Sequence, residues 1–564
     1  MTKSRTGIWS VVALLAIASL LVSACSGTPP SQGTTGGTQS DVDPEGHITL
    51  NTASEPDTID PQKASFVNEI AQAAFVFEGL MTFDSKTTKP VPAAAAAQPK
   101  VSSDGLKYTF TLRDGLKYSD GMAMTAKHFE YGFLRGCDPT AAGDYSFVLY
   151  IIVGCEAYNH MDTKASTPAE LSAARAKVGV KAISDKEIEF TLTDPAPYFV
   201  PITALWQGWP VRESDVTKGG DKWTEPATYI GNGPFKLTEW KHNEKLVFER
   251  NDNYRKKIQI KKVTKVMINE AAVSFAAYRN NELDLIGVSP TTLRTVEGDA
   301  ELKAQMTDVG GSCTFYYGFN VRRPPFDDIN VRMAFAKSID RAAYVKDVEQ
   351  GIGKIADGGF IPPGFPGYDN TDKEQAYDVA GAKALLDKAS PASKAGLNGV
   401  KFTFSSNATN KARAEWAQSQ WKTNLGVTVE LDPVQSTAYS ALFRKGLDSP
   451  QLFYLGWCAD FPDAQNWHST VWQTGGISAG RTGYSSKTFD DKTKAADKEG
   501  DAAKRDAMYL EAGKILSKDV PAAWIYYEAG KRLTKPWIKG IVDNPIDYGI
   551  PGYFSLETVY VAKH

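Results

Sequence analysis

The first 25 residues place the strongest constraint on what this chain can fold into. Lys3 and Arg5 precede an apolar run from Ile8 to Val22, which ends in Ser23-Ala24-Cys25. A basic start, an apolar core of about fifteen residues and small residues at the break form the pattern of a secretory signal. A membrane-spanning helix needs about twenty apolar residues. Residues 1–24 therefore read as a removable signal peptide, and the remainder as a chain that folds outside the cytoplasm, where disulfides persist. Removing them takes away Lys3 and Arg5 and leaves the mature chain slightly more acidic.

The run Leu21-Val22-Ser23-Ala24-Cys25 resembles a bacterial lipobox, which implies that Cys25 is lipidated and becomes the mature N-terminus. The alternative is ordinary cleavage near Ala24 with an incidental cysteine. Ser26 to Gly46 is rich in Ser, Thr, Gly, Pro and Gln, the composition of a flexible tether, so residues 25–46 read as lipidated Cys and linker. Four cysteines then remain, Cys137, Cys155, Cys313 and Cys458, and four allow three pairings. Nearness in sequence makes Cys137–Cys155 with Cys313–Cys458 the simplest choice. On the chain-entropy estimate the short loop contributes ~3 kcal/mol and the long one ~5. Four buried free thiols are the alternative.

Composition narrows the class further. The chain has 564 residues, 42% hydrophobic and 23% charged, with 47 Gly and 30 Pro, which excludes disordered, collagen-like and polytopic membrane proteins. Its length suggests two to four domains. With 63 basic and 66 acidic residues, it lacks the basic surface that nucleic acid needs. The six histidines (47, 128, 160, 242, 468 and 564) are scattered, so no metal site or cofactor is expected. HExxH, Walker A, EF-hand and GxGxxG patterns are absent. Gly476-Ile-Ser-Ala-Gly480 fits G-x-S-x-G, but no strand signal precedes Ser478 and the pattern reads as a Gly-rich loop, so no catalytic role is assigned. The basic run Arg255 to Lys262 reads as a solvated strand edge.

Strand and helix signals alternate without a strict βαβ rhythm. Tyr108, Phe110 and Leu112 share one face, with Asp114-Gly115 as the turn of a predicted hairpin. Glu187 to Thr193, Lys245 to Arg250 and Lys401 to Ser405 alternate as strands. Asp328 caps a predicted helix through Met333, Phe335, Ala336 and Ile339 that stops near Gly351. Lys411 to Asn424, ending before Gly426, and Asp501 to Lys518 are further helices. A large mixed α/β architecture follows.

Several blocks together resemble the peptide/oligopeptide-binding family 5 of extracellular solute-binding proteins of ABC transporters. They are Ser54-Glu-Pro-Asp-Thr-Ile-Asp-Pro61, Phe77-Glu-Gly-Leu80, Asp104 to Gly115 with Ser119-Asp-Gly121, Gly231-Asn-Gly-Pro-Phe235 with Glu249-Arg-Asn251, and Pro325 to Arg332 with Ile339-Asp-Arg341. The resemblance runs from about Ile48 to His564. It implies a two-lobed, periplasmic-binding-protein-like fold (type II, large three-domain form) with mixed sheets and a hinge. The expected limits are residues 47–80, 201–312 and 529–564 for lobe I, 81–200 for its extra domain and 313–528 for lobe II. The implied activity is capture without chemistry. Two lobes close on a peptide and present it to a membrane permease, with a lipid anchor and a monomeric receptor.

Cys313-Thr-Phe-Tyr-Tyr317 and Gly456-Trp-Cys-Ala-Asp460 resemble the enteric oligopeptide-binding members, in which the two matching cysteines are joined. By that resemblance Asp460 pairs with the ligand's α-ammonium. Ser65, Phe66 and Val67 belong to one strand pairing with the ligand backbone, and Gly456, Trp457 and Cys458 to the opposing one. Tyr145, Tyr316, Tyr526 and Tyr527 line the cleft. Arg413, Arg444 and Lys445 only partly echo the family's distal basic cluster, and exposed helix charges are the alternative for each. Tyr454 stands where a basic residue is expected and Gly318 where an acidic one is, so the anchor for the ligand's C-terminus stays open. Two other readings compete. One is the same scaffold binding an oligosaccharide or nickel chelate, with Trp206, Trp209, Trp467 and Trp472 stacking on sugar rings. The other is a surface lipoprotein for signalling or adhesion.

Overall fold

The computed structural model describes residues 41–444 and 449–564. The signal peptide, Cys25, most of the linker and Lys445 lie outside the described residues. No helix among the described residues is long and apolar enough to cross a membrane.

One eleven-stranded mixed sheet organises the body. Its strands in chain order are β1 (His47–Asn51), β2 (Phe235–Lys241), β3 (Lys245–Arg250), β4 (Lys262–Val266), β5 (Leu285–Gly287), β6 (Met306–Phe319), β7 (Lys354–Ile355), β8 (Lys401–Ser405), β9 (Glu430–Val434), β10 (Leu452–Cys458) and β11 (Ala522–Thr534). The spatial order is β9-β8-β10-β6-β11-β5-β1-β4-β3-β2, with β7 pairing β11 at the side. The two long strands β6 and β11 run antiparallel through the middle and are shared by both halves. Met306 to Gly310 face Ala529 to Leu533, beside β5. Thr314 to Gly318 face Ala522 to Tyr527, beside β10. The register breaks between Gly310 and Thr314, where β6 carries extra residues opposite Glu528. Such a bulge bends and twists a strand locally, and it begins at Gly310 and Gly311, with Gly530 paired to Val309 just before it.

The predicted hairpin is corrected. Lys107–Thr111 does present Tyr108 and Phe110 to the core, with Leu112 just beyond. Its partners, however, are Glu187–Thr191 and Lys100–Val101, in a four-stranded sheet completed by Val180–Ala182. Asp114-Gly115 makes a turn, with Gly115 at φ +73°, but the chain after it does not fold back on the strand. Disulfide Cys137–Cys155 fastens the helix Ala126–Gly136 to the Cys155–Asn159 turn beside this sheet, and Cys313–Cys458 joins residues directly opposite each other on β6 and β10.

The helix capped by Asp328 ends at Lys337, well before Gly351, and two short helical turns follow from Arg341 to Val348. The Gly476–Gly480 segment is also corrected: Ser478 lies in a short helix, Ile477–Thr482, fully buried and hydrogen-bonded to Tyr316 Oη at 2.9 Å. The basic run is not a solvated edge. Arg255 donates through Nε and Nη2 to the buried Glu78 carboxylate at 2.6 Å each, Lys256 pairs with Glu557, and Ile258 and Ile260 are buried.

The sequence blocks that suggested a family are largely scaffold. Glu78 of Phe77-Glu-Gly exchanges backbone hydrogen bonds with the Asn232 side chain of Gly231-Asn-Gly, and the Asn251 side chain donates to the Gly233 carbonyl. A Cβ at Gly231 would stand 1.9 Å from the Val76 carbonyl oxygen, so only glycine permits this closeness. Asp60 of the first block holds Arg135 through two 2.6 Å contacts and accepts from Trp223 Nε1 at 2.9 Å.

Candidate ligand-binding cleft

A cavity of about 840 Å³ lies beside the register break of β6 and β11, within the size range of small-ligand sites. Its wall takes Val67 from the start of the helix Val67–Val76, Cys313 and Cys458 from the joined strands, Asp460 just past β10, and Tyr526 and Glu528 from β11. The loop 543–551 closes another side.

Asp460 is the charged centre of this wall. It is 8% exposed. Its carboxylate accepts from Asn466 Nδ2 at 2.9 Å and from Tyr145 Oη at 3.2 Å, while its amide donates to Asn466 Oδ1 at 3.0 Å. Both side-chain donors are neutral, and no cation among the described residues pairs with it. Burial pushes the Asp460 carboxyl up to about 7, against the opposing pull of those two hydrogen bonds. Tyr145 is held in place by Trp206 on one side and a parallel Trp457 ring at 6.2 Å on the other. The buried hydroxyl of Tyr548, on the cavity wall, has no hydrogen-bond partner among the described residues.

The expected strand at Ser65–Val67 is a helix start. The Ser65 and Phe66 amides donate to Glu69 Oε2 at 2.8 and 3.1 Å, capping the helix, and of the three only Val67 lines the cavity. Gly456 packs against the Phe315 ring, and Trp457 sits behind Tyr145; of that strand, Cys458 reaches the wall. Tyr316 does not line the cavity. It is fully buried among Phe360, Trp472 and Trp524. Tyr527 turns its hydroxyl to the Gly359 carbonyl at 2.7 Å, on a neighbouring cavity. Tyr526 is on the wall, stacked on Phe315.

Arg413 is neither an exposed helix charge nor a free anchor. It grips the buried Glu349 carboxylate at 2.7 and 2.8 Å, under Tyr454 and Tyr526. Arg444 ends the helix Ser436–Arg444, and Lys445 lies outside the described residues. The tryptophans offered as a sugar platform are core residues. Trp206, Trp209, Trp467 and Trp472 are each at most 1% exposed, and only Trp206 touches the cavity wall. Sequence reasoning missed Asn466, Tyr548 and Glu528. Nothing local to them marks a site; they gain their places from contacts made across the chain.

Two long strands shared by both halves, with a buried carboxylate on the cavity wall that no cation among the described residues pairs, fit a solute-binding protein. Residues 89–479 match the model of the bacterial extracellular solute-binding proteins, family 5, and the chain belongs to that family. It is 31% identical to the oligopeptide-binding protein OppA of Bacillus subtilis, over 95% of this chain and 96% of that one. Among solved structures it is similar to the murein tripeptide binding protein MppA of Escherichia coli, with a TM-score of 0.81, 28% identity and coverage of 93% and 100%. It is also similar to the Haemophilus influenzae OppA complex with RPPGFSPFR, with a TM-score of 0.79, 26% identity and coverage of 93% and 100%. Against MppA in its unliganded open form the TM-score falls to 0.65, at the same 93% of this chain. The arrangement described here is therefore not the open one.

Proposed function

We propose that this chain is an extracytoplasmic peptide receptor. It captures peptides, oligopeptides foremost, in a closing cleft and delivers them unchanged to an ABC importer. The observation that carries this reading is the Asp460 carboxylate, buried on the cavity wall with two neutral donors. A buried carboxylate is costly without a countercharge, and the α-ammonium of a peptide supplies one through a short charge-assisted contact. Closure follows when a ligand binds the closed form better than the open one. The peptide-binding relatives support the same reading. The lobe limits proposed from the sequence place their divide at residues 312/313 and 528/529, and the register break of β6 and β11 supports that divide. Cys25 carries the lipid that keeps a monomeric receptor at the membrane, with a second acyl chain needed for stable anchoring. Native mass spectrometry of the mature protein tests the function. Retained masses that fragment as peptides are expected, and a retained sugar or metal chelate would overturn the reading.

A further inference from the structure

The cleft wall is unevenly charged. Each of its basic side chains is already held by a carboxylate: Arg413 by Glu349, Lys531 by Asp308 at 2.6 Å, and Arg532 by Asp543. Three acidic side chains on the same wall, Asp460, Glu528 and Asp547, have no cation partner among the described residues. Of these, Asp547 turns its carboxylate to the amides of Asn544 and Gly552 in its own loop.

Glu528 sits at the register break of β6. Its Oε2 accepts from the Ser312 amide at 3.2 Å, and the Cβ of any side chain at 311 would lie 2.6 Å from that oxygen, so Gly311 makes room for the carboxylate. Its other oxygen receives no side-chain donor from the described residues. One carboxylate oxygen lies within 4.8 Å of both sulfurs of Cys313–Cys458. Cys458 is two residues before Asp460, and both carboxylates line the same cavity. Burial pushes the Glu528 carboxyl up from its ordinary value, as it does that of Asp460.

We infer that Glu528 is a specificity-determining residue, the countercharge for a lysine or arginine side chain within the first three residues of the bound peptide. This rests on the peptide reading above and deepens it: the preferred ligand carries two positive charges, one at Asp460 and one at Glu528. A ligand ammonium anchored at Asp460 directs the following side chains toward the register break of β6 and β11, where a basic one meets Glu528 and a neutral one leaves that carboxylate with backbone amide donors and no countercharge.

Isothermal titration calorimetry with the mature protein tests it. The ligands are tripeptides of alanine with one lysine at position 1, 2 or 3, each matched by the peptide carrying norleucine there. A charge-assisted contact predicts about tenfold tighter binding for lysine at one position. In Glu528→Gln, which keeps an acceptor for the Ser312 amide, the lysine-to-norleucine ratio at that position is expected to fall within twofold. Equal affinity for lysine and norleucine at all three positions of the unaltered protein overturns the inference, whether or not the variant folds. A lysine preference that survives in Glu528→Gln assigns it to another group and overturns it as well. If trialanine binds and the lysine series shows no gain, this inference alone fails; if no free peptide binds, the peptide reading fails with it.

Discussion

Replacing Asp460 by asparagine removes a charge and nearly preserves shape. Among the described residues the carboxylate accepts only from Asn466 Nδ2 and Tyr145 Oη, and an amide oxygen can accept from both. What the Asp460→Asn variant loses is the partner of a ligand ammonium in a closed, low-dielectric cleft. Stranding one member of a buried pair costs ~3–5 kcal/mol. At about tenfold per 1.4 kcal/mol, affinity for a free-amine peptide should drop by about two to three and a half orders of magnitude. Calorimetry at pH 7.5 with trialanine and N-acetyl-trialanine, on both proteins, separates this from a packing defect. The unaltered receptor should lose a comparable factor when the peptide is acetylated. The variant should lose less than about threefold, because contact partners are non-additive. An affinity loss below about tenfold, or an acetylation penalty equal in both proteins, would refute the reasoning.

The closed cleft holds the Asp460 carboxyl up at about 7, whereas open and hydrated it returns toward ~3.9. The groups facing it are Tyr145, Asn466 and Tyr548. A carboxyl with the higher pKa in the closed form favours closure at low pH, and that bias is lost as pH rises through about 7. The radius of gyration of ligand-free receptor, from small-angle scattering, should therefore shrink between pH 8 and 5; a value independent of pH contradicts this. Glu78→Gln strands the largely buried Arg255 side chain, which pairs with the buried Glu78, and should cost ~3–5 kcal/mol in urea unfolding, with a change below ~1 counting against burial of the pair. Replacing both Cys313 and Cys458 by alanine opens a loop of sequence separation 145. It should lower stability by up to ~5 kcal/mol, and an unchanged urea midpoint would show the bond contributes little.

Local pattern was readable where local physics decides. Lys245–Arg250 and Lys401–Ser405 alternate, and both are strands with those bounds. Asp328 and Asp501 each cap a helix by accepting from a backbone amide, and Gly426 ends another at φ +76°. The site was legible only in part. Asp460 and Tyr145, 315 positions apart, do meet, and it was the family resemblance, not spacing, that singled them out. What stayed hidden is pairing over long separations. Arg413 and Glu349 are 64 residues apart, and nothing in either segment announces that each neutralises the other. The same holds for Glu528, whose exposure to the cleft follows from a register break between segments 216 positions apart. Ser65 and Phe66 misled because an N-cap residue has extended backbone, as a strand does; Glu69, three residues past Phe66, was the helix signal.

The central claim is that a buried carboxylate receives the charged amino end of a peptide. A crystal structure of the receptor with its ligand retained tests it most directly. A peptide α-ammonium in hydrogen-bond contact with Asp460, flanked by Tyr145, is expected. Asp460 facing bulk water, or a ligand with no cationic group beside it, would contradict it.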